Sequence, residues 1–101
     1  MPNALRTRTI PITLAIQKLV DQLARLFNDS FHLPSLPLVP SISRVGDGRG
    51  GTYLVCHLQI RYPNGLFSTS EGCGPDPFSA LQRSYRRLVG HAPLCLAWPR
   101  R

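Results

Sequence analysis

The stretch from Thr52 to Tyr62 constrains the fold more than any other. Leu54, Cys56, Leu58, Ile60 and Tyr62 take one phase, while Tyr53, Val55, His57, Gln59 and Arg61 take the other. A strand turns successive side chains to opposite faces, so this alternation predicts a sheet strand with one buried side. Pro63-Asn64-Gly65 follows with tight-turn chemistry, and Leu66 to Glu71 is expected to return antiparallel as the second arm of a hairpin.

Prolines punctuate the chain and leave two windows for helices. The first is predicted over 14–27 with Thr13 as its N-cap. Ile16, Leu19, Val20, Leu23, Leu26 and Phe27 recur at helical spacing there, Lys18, Asp21 and Arg25 fall on the opposite side, and Asn28-Asp29-Ser30 stops the helix. The second is predicted over 77–89, with Asp76 as N-cap, Pro77 in the first turn and Gly90 as a left-handed stop. Phe78, Leu81, Tyr85, Leu88 and Val89 form its apolar stripe, and Arg83, Arg86 and Arg87 point elsewhere, outward.

Leu5 to Ile12 is rich in β-favouring residues and contains Pro11, which suits an edge strand. The segment 31–40 carries three prolines at spacing three and is expected to be an extended connection, feeding a strand around Leu38 to Val45. Gly46 to Gly51 reads as a turn; it lacks the lysine of a nucleotide-binding loop and opens no helix. The order is therefore β-α-β-β-β-α, an α+β fold with a mixed four-stranded sheet and both helices on one face. Residues 1–91 are expected to form one domain, feasible as a monomer, with 92–101 as a C-terminal tail. The apolar run Leu94 to Trp98 in that tail either covers a sheet edge, docks on a partner or frays.

Twelve basic residues, eleven of them arginine, stand against five acidic ones and give a net charge of +7. A polyanionic partner is the first expectation. Cys56, Cys73 and Cys95 are odd in number and lack CxxC spacing, so they suggest neither a disulfide framework nor a zinc site, and a reducing cytoplasm fits them. No apolar run approaches the roughly 18 residues of a membrane span, and residues 1–12 do not read as a signal peptide. No cofactor or metal motif is legible.

Two segments carry a family resemblance. Ile12-Thr13-Leu14-Ala15-Ile16, followed by Val20, Leu23 and Leu26, is similar to the I-T-x-A-L entry into helix one of the ribosome hibernation-promoting factors. Asn64-Gly65, Ser70-Glu71-Gly72 and Asp76-Pro77-Phe78-Ser79-Ala80-Leu81 resemble that family's hairpin turn and its D-M-Y-x-A-I entry into helix two. The resemblance spans about residues 5 to 91. It implies a β-α-β-β-β-α fold and binding to the small ribosomal subunit and its RNA, with inhibition of translation or stabilisation of idle ribosomes. It also places Lys18, Arg25, Arg83, Arg86 and Arg87 where the family carries exposed basic residues. The chain departs from the family in using arginine for lysine, in its proline-rich connection, in the 71–76 turn and beyond residue 92.

A double-stranded RNA-binding domain shares the order helix, three strands, helix. It normally has lysines at the start of its second helix, where this chain has Asp76-Pro77-Phe78-Ser79. A small protein-interaction module of the same fold is the remaining alternative. Arg61, with Arg44 and Arg49, extends the basic surface, and Tyr53 offers a ring for base stacking. Catalysis would need His57, Cys73 and Asp76 to converge. A strand histidine, a turn thiol and a helix cap explain them more simply, so no catalytic residue is expected.

Overall fold

A computed structural model describes residues 7–97, with side chains as far as residue 93. The elements are β1 (Thr7–Ile10), α1 (Leu14–Ser30), β2 (Val39–Gly46), β3 (Thr52–Arg61), β4 (Phe67–Gly74) and α2 (Pro77–Ala97). The order is β-α-β-β-β-α and the fold is α+β.

The four strands lie in sequence order, β1-β2-β3-β4. Every pairing is antiparallel, which corrects the mixed sheet expected from sequence. The reason lies in the connection after α1. Phe31 closes the helix by donating to the Phe27 carbonyl, His32 takes a left-handed turn at φ 55°, and residues 33–37 double back along α1. Asn28 fixes them there: its Nδ2 donates to Leu36 O at 2.9 Å and its own carbonyl accepts from Leu33 N at 2.9 Å. The chain thus re-enters the sheet at the end where β1 stopped, so that Ile10 faces Ile42 and Val39 lies just beyond it.

The alternation in β3 sorts the sheet into two faces as expected. Leu54, Cys56, Leu58, Ile60 and Tyr62 are buried with Ile42, and they share one core with Ile16, Val20 and Phe27 of α1 and Ala80, Leu81, Leu88 and Ala92 of α2. Both helices therefore cover the same face, where Phe27 meets Tyr85 edge-on at 6.4 Å between ring centroids. The opposite face carries no helix.

α2 lies directly on β4 because the strand presents no side-chain bulk there. Ser68, Ser70, Gly72 and Gly74 are its inward residues, all buried. Ser70 Oγ donates to Ser84 O at 2.7 Å, and Ser84 Oγ returns a bond to Ser70 O at 3.2 Å, which satisfies two buried hydroxyls between strand and helix.

Several boundaries differ from the sequence expectation. β4 continues through Cys73 to Gly74, because its register with β3 runs on to Leu54. α2 does not stop at Gly90 but continues through Pro93 to Ala97, so the helix crosses the expected boundary between domain and tail. Gly90 is not among the glycines with positive φ, and Ala92 is fully buried, which gives the helix a reason to continue. Phe78 and Leu26, expected in the apolar stripes, are 45% and 55% exposed, because each lies at the margin of a stripe narrower than the full apolar pattern. The side chains of Leu94, Cys95 and Leu96, and residues 1–6 and 98–101 with Trp98, lie outside what is described, so the expected role of the apolar tail does too.

Cys56 is fully buried and free, and Cys73 is free and exposed. Burial pushes the Cys56 thiol up to about 11, against a smaller opposing effect from Ser84. Because the unfolded chain ionises this thiol at lower pH than the native one, its contribution to stability is complete below about pH 9 and is lost as pH rises through about 11. Alkylation of the native protein at neutral pH, followed by peptide mapping, should label Cys73 rapidly and Cys56 only after unfolding. Fast labelling of Cys56 would mean that the strand register is wrong.

Candidate nucleic-acid interface

The strongest concentration of free positive charge lies where α2 overhangs the edge strand β4. Asp76 starts the helix by accepting from Ser79 N at 2.8 Å and from Ser79 Oγ at 3.1 Å. The Ser79 amide, with lesser help from Arg83, holds the Asp76 carboxyl below its ordinary pKa. From this start the helical phase buries Ala80, Leu81, Ser84 and Leu88. Tyr85 and Val89 occupy the flank towards α1, and Arg83 and Arg87, one turn apart, occupy the flank along β4.

Arg83 Nη1 donates to Cys73 O at 2.7 Å, a carbonyl that the outermost strand turns away from β3. Arg83, Arg86 and Arg87 together line a shallow depression with Gly72 and Cys73. Beyond it, Arg87 and His91 border a wider groove of about 540 Å³ that reaches Ser41, His57, Thr69 and Glu71. Among the described residues no carboxylate forms an ion pair with these arginines; Glu71 Oε2 lies instead 3.4 Å from His57 Nε2, both side chains exposed. Three guanidinium groups beside an open edge suit phosphate oxygens, which accept from planar donors in pairs.

The other expected RNA contacts do not join this cluster. Lys18 and Arg25 are exposed on α1, and Arg25 lies in a separate groove with Asp21, Asp29 and the 33–37 segment. A single basic face spanning both helices is therefore not formed, because the α2 arginines flank β4 on the side away from α1. Arg61 lies on the helix-free sheet face, its guanidinium 5.9 Å from the centre of the exposed Phe67 ring. Tyr53 is on that same face at the other end of β3. His57 pairs with Glu71 and Asp76 caps α2, and among the described residues no three His, Cys, Asp or Glu side chains cluster as metal ligands do.

Sequence reasoning placed Arg83, Arg86 and Arg87 outward but missed His91, because Gly90 was read as the end of the helix. It also missed the open edge of β4. The helical spacing of 83, 87 and 91 was the available signal. Among the described residues no helix is long and apolar enough to cross a membrane. No protein-family model, curated protein or solved structure matches the chain.

Proposed function

We propose that the chain is a cytoplasmic, ribosome-associated RNA-binding protein. It grips phosphates of the small-subunit RNA with Arg83, Arg86 and Arg87 and thereby restrains translation or protects idle ribosomes. The observation that carries this is the convergence of those three side chains at an uncovered sheet edge, unpaired with any carboxylate among the described residues. The net charge of +7 adds long-range attraction to a polyanion. The order of elements agrees with the hibernation-factor resemblance, and the family's site supplies the ribosomal target.

Because three contacts release condensed counterions, affinity should fall about 20- to 40-fold between about 50 and 200 mM salt. Sedimentation of tagged protein through sucrose gradients of cell lysate tests this: it should travel with small subunits at low salt and remain at the top at high salt. Protein that stays at the top at low salt overturns the proposal. The antiparallel run β2-β3-β4 flanked by α1 and α2 supports a second reading, a double-stranded RNA-binding domain. In that case an RNA duplex of about 16 base pairs competes the protein off the subunit, whereas an equal single strand does not.

A further inference from the structure

A second basic site lies towards the opposite edge of the sheet, on β1, β2 and the hairpin that joins β2 to β3. Arg8 of β1 and Arg44 of β2 are directly opposed in the register. They continue the row of Leu54 and Gly74, so both point to the helix-covered face, yet both are exposed because they lie beyond the cover. With Gly46, Gly48, Gly50 and Thr52 they line an open cleft of about 450 Å³.

Like charges opposed on one sheet face are destabilising. An inward charge on an edge strand has a simple use, since it discourages pairing with other chains. That accounts for Arg8 but not for Arg44, because β2 is an interior strand, paired on both sides. The hairpin's own carboxylate, Asp47, is held in the turn, its Oδ1 accepting from Arg49 N at 2.7 Å and Gly51 N at 3.0 Å. Among the described residues neither arginine forms an ion pair. Gly48 and Gly50 hold φ of 84° and 88°, a backbone conformation that side chains rarely adopt, so the turn presents bare backbone to the cleft at these two positions.

We propose that this cleft binds a phosphate group, clamped between the guanidinium forks of Arg8 and Arg44. Opposed arginines bring two planar donors to one anion, which relieves their mutual repulsion. The phosphate comes either from an RNA strand or from a free phosphomonoester, and the site goes beyond the α2 interface.

Amide NMR of the full-length protein tests it, with inorganic phosphate as the probe and sodium chloride at equal ionic strength as the reference. Phosphate should produce saturable shifts at the Gly46, Gly48 and Gly50 amides that chloride does not. Arg8→Gln or Arg44→Gln should each weaken that response about tenfold, and the double variant should lose it. Arg86→Glu/Arg87→Glu should keep it, which separates failure of this site from failure of the ribosome proposal. Two short RNA oligomers then distinguish the sources: both shift the loop if internal phosphodiesters bind, and only the 5′-phosphorylated one does so if a monoester is required. Equal shifts with chloride, or an undiminished phosphate response in a folded double variant, overturn the proposal.

Discussion

Replacing Gly72 by alanine should destabilise the domain more than any other single methyl group added to it. A Cβ at that position would lie 2.3 Å from Ser84 N, 2.6 Å from Ala80 O and 2.8 Å from Arg83 C. All three are backbone atoms of one helical turn, so relief requires α2 to lift away from β4 as a body. That movement would also break the Ser70 and Ser84 hydroxyl bonds to the facing carbonyls. Overpacking of this kind costs about 3 kcal/mol or more when backbone must move, which for a domain of this size lowers the melting temperature by about 12–24 °C. Gly90→Ala is the matched control. It sits in the same helix, exposed, with nothing within 4 Å of its added Cβ, and should stabilise by about 0.5–1 kcal/mol through helix propensity alone. Thermal melts followed by circular dichroism read both. A Gly72→Ala protein that melts with the wild type would mean that α2 does not rest on β4.

The contrast between those two glycines also marks what was legible in the sequence. Local signals carried the alternation of β3, the Pro63-Asn64-Gly65 turn and both N-caps, because each is decided within a few residues: Thr13 Oγ1 accepts from Ile16 N at 3.3 Å, and Gly65 takes φ 91° as such a turn requires. Gly72, Gly74 and Gly90 look alike in a sequence. Two of them are places where a helix touches a strand, and the third is an ordinary helical position, a distinction that only long-range packing creates. The direction of β1 relative to β2 was hidden for the same reason, since it depends on how Asn28 ties residues 33–37 back against α1. Helical phase was enough to turn Arg83, Arg86 and Arg87 outward. It did not say which flank of α2 would meet α1, and that choice decides whether Lys18 and Arg25 join the cluster.

That choice sets the outcome of charge reversal. Arg83 is the weakest place to begin, because its bond to Cys73 O and its proximity to Asp76 give it a structural part that glutamate would invert. Arg86 and Arg87 have no such partner among the described residues and are exposed, so Arg86→Glu/Arg87→Glu should leave the melting temperature within about 3 °C of wild type, as surface changes usually do. If each guanidinium contributes a charge-assisted bond to phosphate, losing two weakens small-subunit binding at least about a hundredfold. Adding Arg83→Glu should complete the loss at a small cost in stability. Lys18→Glu/Arg25→Glu changes net charge by the same amount as the double variant on α2, so both should slow long-range attraction alike. Only the α2 pair should remove the contact itself and flatten the dependence of affinity on salt. Binding measured by subunit sedimentation across a salt series separates the two effects. Equal losses from the α1 and α2 pairs would mean that the protein is held by its overall charge and that the edge of β4 is not the interface.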